Sequence, residues 1–258
     1  MAIKGLDRFM GKPIDGALEK LLEGTKIQNA PEPIQPNPNL DFHSASEFWT
    51  VGRVPYRNGL YRIDLSKQLL DRGQNHTQDE WSQFSESAKQ KGDFYVGNFP
   101  LYHALFAALH NLKGDSQIEK DVEAARNFLE KEFHANWLIT LTRIKYSKTG
   151  KDKVIHNHGM QNCSVVDAEF VGPDEYVEDA TNMEPYKALL GTDDKNEINS
   201  VYKWLTGRRP YLYRVNSKPD KDREFVAGFV AGSGWAGLGC NWNPSGAGRA
   251  LGVRAQKI

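Results

Sequence analysis

Two histidines one residue apart, His156 and His158, are the residues of this chain best spaced for metal chemistry. The apolar residues before them predict a strand, and side chains two positions apart on a strand face the same side of a sheet. Both imidazoles could then bind one metal ion, with Asp167 or Glu169 as a third ligand. The same pattern is also typical of two surface histidines on a hairpin. We favour that interpretation, and we predict no metal or other cofactor.

A glycine-rich segment, Gly232-Ser233-Gly234-Trp235-Ala236-Gly237, follows a predicted strand and matches the spacing of a dinucleotide-binding loop. Such a loop needs a helix directly after it, because the helix N-terminus holds the pyrophosphate. The residues that follow, Leu238 to Pro244, are poor helix formers, so no nucleotide site is predicted. The sequence also contains no nucleophile elbow, no phosphate loop with its lysine and no zinc-protease motif. It therefore predicts a protein that is not an enzyme.

The 258 residues include 33 basic and 33 acidic side chains, which cancel. Nucleic-acid-binding proteins depend on a basic field, so we predict no nucleic-acid partner. No apolar run approaches the roughly 18 residues that a membrane span needs, and the first residues lack the apolar core of a signal peptide. We expect synthesis in the cytoplasm, while the final location stays open, with a virion or a cell surface among the choices. The two cysteines, Cys163 and Cys240, favour two buried thiols over a disulfide framework.

Residues 1–40 are predicted as a region distinct from the main domain, residues 41–258. A helix is expected over residues 14–23, where leucines recur at helical spacing. The prolines of residues 30–40 predict an extended arm, because proline fixes its backbone and lacks the amide donor of a sheet.

The main domain combines predicted helices with predicted strands. The helices cover residues 100–112, 116–133 and 197–205. The strands cover residues 48–54, 61–64, 137–146, 154–158, 163–170, 211–215 and 225–230. Ser116, with Glu119 three positions later, has the pattern of a capping box, and Asn58-Gly59 predicts a hairpin turn. Helices followed by an antiparallel sheet indicate an α+β fold.

Glycines and small apolar residues alternate through the C-terminal segment, residues 223–254. Ala227, Phe229 and Ala231 occupy alternate positions, and Leu238 and Cys240 repeat the pattern with glycines between them. Glycine inside a strand is costly unless another group must approach the backbone closely. A flexible tail would not need so regular a pattern. We therefore expect a constant apolar face that packs on the core and a replaceable outer face.

This segment resembles the variable region of proteins that are diversified by retroelements and have a C-type-lectin fold. The residues that carry the resemblance are Phe229, Ala231, Ser233, Ala236, Leu238, Cys240, Asn241-Trp242-Asn243-Pro244-Ser245 and Ala250-Leu251-Gly252-Val253-Arg254. The strand from Tyr211 to Asn216 is similar to the scaffold of archaeal members. The resemblance implies a C-type-lectin-like fold, with helices packed on a short, irregular antiparallel sheet, in a protein of archaeal or viral type.

In that family, chosen codons vary through their adenines while scaffold codons stay fixed. Carried over to this chain, the resemblance implies a diversified ligand-binding surface at Gly228, Gly232, Gly234, Gly237, Gly239, Asn241, Asn243, Gly246, Gly248 and Arg249. Trp235 and Trp242 belong to the same surface, but an AAC codon varied at its adenines never yields tryptophan. They are either fixed or derived from another template codon. With Arg249 they are the expected anchors of a ligand.

The resemblance implies a recognition protein, used for adhesion or host recognition, whose partner is an unknown protein or cell-surface ligand. The sequence leaves two alternatives open. One is a metal-dependent enzyme that uses His156 and His158, and the other is a structural subunit of a virion.

Overall fold

The computed structural model describes residues 8–9, 12–13 and 40–258. The chain divides into two compact units, residues 1–35 and 36–258. In the first unit two short strands, β1 (Arg8–Phe9) and β2 (Lys12–Pro13), pair antiparallel. The helix predicted over residues 14–23 lies outside the described residues, as do residues 30–39 of the predicted arm.

The predicted hairpin is confirmed and forms the centre of a four-stranded antiparallel sheet. Its strands are β3 (Asp41–Ser44), β4 (Phe48–Tyr56), β5 (Gly59–Leu69) and β13 (Leu251–Lys257). They lie in the order β13-β5-β4-β3, so the strand at the end of the C-terminal segment pairs with the hairpin. Val51, Ile63 and Leu65 are buried on this sheet, which gives its β-branched and apolar residues a core to pack on.

The residues described contain five α-helices. They are α1 (Gln78–Lys91), α2 (Phe99–Asn111), α3 (Glu119–Ala135), α4 (Glu184–Leu190) and α5 (Lys195–Thr206). The helices predicted over residues 100–112 and 197–205 are confirmed as α2 and α5. The sequence did not predict α1, although Thr77 and Glu80 form a capping box at its start, each side chain bonding the backbone N–H of the other. None of the described helices is long and apolar enough to span a membrane.

The capping box predicted at Ser116 and Glu119 is wrong. Helix α3 begins at Glu119, and Ile118 precedes it without a side-chain capping bond. A competing turn is the cause. The Asp115 carboxylate accepts the backbone N–H of Gln117 at 3.0 Å, and the Asp115 carbonyl accepts that of Ile118 at 3.1 Å. These bonds hold Ser116 inside a turn that ends before the helix begins.

A seven-stranded sheet contains most of the C-terminal segment. Its strands are β6 (Leu138–Tyr146), β7 (Asp152–His156), β8 (Ser164–Ala168), β9 (Glu175–Tyr176), β10 (Arg209–Tyr213), β11 (Arg223–Ala231) and β12 (Trp235–Trp242). They lie in the order β8-β7-β6-β11-β12-β10-β9.

One pair of strands departs from the predicted antiparallel sheet, because β10 and β12 pair in parallel. β11 follows β10 in the chain and runs in the opposite direction, but the two strands are separated in the sheet by the width of one strand. The tight turn at Gly232-Ser233-Gly234 then brings β12 into that gap, antiparallel to β11 and running in the direction of β10. The order of strands along the chain does not reveal such an insertion.

Phe229 on β11 is the centre of the main core between this sheet and the helices. Its ring centroid lies 4.1 Å from that of Phe99 on α2 and 5.1 Å from that of Phe133 on α3. A smaller core on the opposite side of the sheet contains Trp81 of α1 together with Val226. Helices therefore pack against a largely antiparallel sheet, and the chain is an α+β protein, as predicted.

Candidate binding face

The apolar face that the sequence predicts within residues 223–254 packs on the core. Phe229, Leu238 and Cys240 are fully buried in the main core. Burial also raises the pKa of the Cys240 thiol well above its ordinary value. The prediction of two buried thiols fails for Cys163, which is exposed in the turn before β8.

On the outer side of β11 and β12, two indoles lie on glycines. Gly228 and Gly239 are register partners on β11 and β12, and the indole of Trp242 lies across both. A Cβ atom on Gly239 would stand only 2.6 Å from Nε1 of Trp242, whereas non-bonded heavy atoms need about 3.5 Å. The ring therefore occupies the space where two side chains would otherwise stand.

Trp235 repeats this arrangement near the β11–β12 turn. A Cβ atom on Gly237 would lie 2.6 Å from Cζ3 of Trp235, and one on Gly232 would lie 2.8 Å from Cε2 of the same ring. Gly232 also donates its backbone N–H to the carbonyl of Trp235 at 2.9 Å, which closes the turn beneath the indole. We call the two indoles with these four glycines the indole–glycine face.

The sequence predicts an outer position for all twelve site residues, and the structure differs at four. Gly228, Gly237, Gly239 and Gly248 are buried. Gly232, Trp235, Trp242 and Arg249 are half-buried, and Gly234, Asn241, Asn243 and Gly246 are exposed. Three of the buried glycines lie beneath the indoles, and a Cβ atom on Gly248 would meet the Trp137 carbonyl at 2.8 Å. The strand alternation identified the correct side of the sheet but could not reveal that the tryptophans cover it.

Arg249, predicted as a ligand anchor, is held by its own chain. Its Nη1 donates to Oδ1 of Asn136 at 2.6 Å, and its backbone bonds Trp137 and Ile139 at the start of β6. The guanidinium thus joins the end of the C-terminal segment to Asn136, in the link between α3 and β6.

Trp137 is a surface aromatic that the sequence analysis did not assign to the site. It exposes 59% of its area and stacks on Trp242, with centroids 5.1 Å apart and planes 22° from parallel. A cavity of about 100 Å³ lies beside the pair, lined by Trp137, Ile139, Val226, Trp242, Asn243, Gly246, Ala247 and Gly248. Trp137 begins the strand predicted over residues 137–146, but the sequence does not reveal its contact with Trp242, 105 positions away.

Three tyrosines continue the aromatic surface on the other side of β12, and we call them the tyrosine strip. Tyr213 and Tyr211 pair in register with Gly239 and Gly237, so they share the outer face. The ring centroids of Trp235 and Tyr213 lie 5.0 Å apart, those of Tyr213 and Tyr211 lie 4.7 Å apart, and those of Tyr211 and Tyr176 lie 4.8 Å apart. Tyr176 escaped the sequence analysis because β9 has only two residues.

The two histidines do not form a metal site. His156 is buried: its Nε2 donates to the Ala188 carbonyl at 2.9 Å, and its Nδ1 accepts from Thr142 at 3.1 Å. His158 instead lies 3.2 Å from Asp79. Asn157 between them has a φ of 54°, which ends the strand alternation, so the prediction of a shared face is wrong. Among the residues described, no group of three or more His, Cys, Asp or Glu side chains is placed to hold a metal ion.

A larger cavity, of about 500 Å³, lies between the β4–β5 turn, α2 and α4. Several of its polar side chains are already paired within the chain. His103 bonds Glu197 at 3.2 Å, and Lys187 bonds Asp193 at 2.9 Å. The indole–glycine face, with its outward aromatic rings, is the stronger candidate for ligand binding.

Comparison with protein-family models, with curated proteins and with solved structures finds no match to this chain.

We expect Gly228→Ala to lower the free energy of unfolding by about 1–3 kcal/mol, because overpacking a filled site carries that cost. Its new Cβ atom would meet both the Trp242 ring and the Leu138 carbonyl, the latter at 2.6 Å. The matched control is Gly234→Ala, where nothing lies within 4 Å, and its stability should be unchanged or slightly raised. Urea unfolding followed by circular dichroism measures both. Equal stabilities for the two variants would contradict the geometry.

Burial lowers the pKa of His156 to about 4, so the folded chain holds this imidazole neutral. Between about pH 6.5 and 4 the unfolded chain binds a proton that the folded chain does not. This imidazole should therefore lower the free energy of unfolding by about 1.4 kcal/mol per pH unit as the pH falls through that window. His156→Gln should show a correspondingly flatter pH dependence, because His110, whose pKa is also lowered to about 4, contributes equally to both proteins. Identical slopes in urea unfolding across this window would contradict the assignment.

Proposed function

We propose that the chain is a ligand-recognition protein and not an enzyme, with the indole–glycine face as the centre of its binding surface. The observation that carries the proposal is that Trp235 and Trp242 each lie across two glycines on neighbouring backbone segments. The glycines remove side chains that would lift the indoles away from the sheet, so the rings are held before a ligand arrives.

Such a surface suits recognition for physical reasons. Tryptophan and tyrosine bring large, rigid and partly apolar contact areas, and they dominate the binding energy of many interfaces. Placement on strands fixes their geometry better than placement on loops. The partner that we propose is a protein or a cell-surface ligand, contacted by Trp235, Trp242 and the exposed positions around them.

We further propose a C-type-lectin-like fold in which residues 223–254 are the variable region of a retroelement-diversified protein. The resemblance supports this, and so does the separation of the segment into a buried apolar side and an outer side. Gly234, Asn241, Asn243 and Gly246 are exposed, so new side chains there need not disturb the core.

Variation at the glycines beneath the indoles would be restricted by the rings that cover them. A side chain at Gly237 or Gly239 requires that the indole above it moves or is itself replaced. Substitutions at these positions should therefore accompany changes at Trp235 or Trp242. The four exposed positions carry no such restriction.

The metal-dependent enzyme is not favoured by any feature of the described residues, because His156 and His158 have different partners. No feature of the same residues favours a structural virion subunit over a binding protein.

The DNA around the coding sequence tests the proposal. We expect a reverse transcriptase gene and a near-copy of the codons for residues 223–254 that differs from them at adenines. Sequencing the locus from related isolates should show changes at Gly234, Asn241 and Asn243, while Phe229 and Leu238 stay constant. A locus without the enzyme and the near-copy, or changes spread evenly over core and surface codons, would contradict the proposal.

A further inference from the structure

The tyrosine strip lies outside the segment proposed to vary. Its rings do not form one flat platform, because the planes of Tyr176 and Tyr211 are 78° apart and those of Tyr211 and Tyr213 are 58° apart. Tyr213 and Trp235 meet edge to face, at 71°. The strip therefore presents a series of differently tilted ring faces next to the indole–glycine face.

The strip already accepts one guanidinium from its own chain. The Cζ atom of Arg209 lies 4.0 Å from the ring centroid of Tyr176, within the range of a cation–π contact. Arg209 also forms an ion pair with Glu178. A planar cation stacked on a tyrosine and paired with a carboxylate is thus a combination that this edge of the sheet accommodates.

A second carboxylate lies at the same edge with no cation of its own. Oδ1 of Asp174 accepts the backbone N–H of Arg214 at 2.8 Å, which fixes the carboxylate directly after Tyr213 at the end of β10. The guanidinium of Arg214 is buried and bonds Glu175 at 2.8 Å instead. Of the cationic side chains in the described part of the chain, none forms an ion pair with Asp174.

The charge of Asp174 reaches the outer tyrosines. The pKa of Tyr211 and that of Tyr213 are raised, first by burial and then by the neighbouring carboxylate and phenols. This edge of the face therefore combines aromatic rings with a carboxylate.

We propose, resting on the function proposed above, that the tyrosine strip and Asp174 form a constant subsite for an arginine side chain of the partner. The guanidinium stacks on Tyr211 or Tyr213 and pairs with the Asp174 carboxylate, in the way that Arg209 uses Tyr176 and Glu178. Arginine suits this site better than lysine, because its planar group can stack and donate two parallel hydrogen bonds together. The subsite holds a common feature of partners, and the variable positions select among them.

N-acetyl-arginine amide is the probe for this subsite, and N-acetyl-citrulline amide is its uncharged control of nearly the same shape. Titration into the full chain is followed by NMR of the tyrosine ring signals and the tryptophan indole signals. We expect saturable shifts at Tyr211 and Tyr213 with the arginine probe, and binding of the citrulline probe weaker by about threefold or more. No saturable shift, or equal binding of the two probes, would overturn the proposal.

Two variants and a control separate the subsite from general surface binding. Asp174→Asn keeps the oxygen that accepts the Arg214 N–H but removes the charge, and Tyr211→Leu removes a ring. Each should weaken the arginine probe by about threefold or more, because each removes one of the two interactions. Phe84→Leu changes an exposed ring on α1, outside the binding surface, and should leave binding unchanged. An effect of Phe84→Leu as large as that of Asp174→Asn would overturn the subsite, as would larger shifts of the same tyrosine signals with methyl glucoside.

This outcome is independent of the DNA search. A near-copy of the codons found together with a chain that does not bind the arginine probe overturns the subsite alone. A chain that binds the probe but whose locus lacks the reverse transcriptase overturns the retroelement function and supports the subsite.

Discussion

The contact between the indole of Trp242 and the paired glycines Gly228 and Gly239 covers the outer side of β11 and β12, where these strands carry few side chains. Each glycine within a strand costs about 0.5–1 kcal/mol relative to alanine. Burying one side of an indole, about 100 Å² at about 25 cal/mol per Å², contributes about 2.5 kcal/mol. The stabilisation from the buried indole is of similar size to the cost of the two glycines and slightly larger. The strands therefore stay ordered although they carry few side chains on this side. Phe229 and Leu238 complete the arrangement, because they anchor the same strands in the main core from the other side.

Part of this arrangement could be predicted from the sequence, because it has a local period. Alternation identified Phe229, Leu238 and Cys240 as core residues, and the apolar spacing of α2 and α5 identified those helices. The features that the sequence did not predict depend on long-range or competing contacts. The parallel pair β10–β12 arises from an inserted hairpin, and Trp137 joins the face only through a residue distant in the chain. Ser116 has the same capping pattern as Thr77 but lies in a turn stabilised by Asp115.

The outer glycines show a different limit of sequence reasoning. On the strand pattern, Gly237 and Gly239 appear as positions where any side chain could stand. In the folded chain they are positions where no side chain can stand while Trp235 and Trp242 keep their places. The glycines therefore allow two aromatic rings to lie close to the sheet. The His156-Asn157-His158 motif departs from the strand pattern, because the positive φ of Asn157 separates two imidazoles that an ideal strand would place together.

A double-mutant cycle on Gly239 and Trp242 tests most directly whether the indoles are the reason for the glycines. The three atoms nearest to a Cβ on Gly239 all belong to Trp242, so removing the ring should relieve the clash completely. We predict that Gly239→Ala costs about 1–3 kcal/mol in the natural chain and close to nothing in the Trp242→Leu background, a coupling of at least about 1 kcal/mol. Additive effects, within about 0.5 kcal/mol, would contradict the account, because they would show that the glycine and the indole act independently.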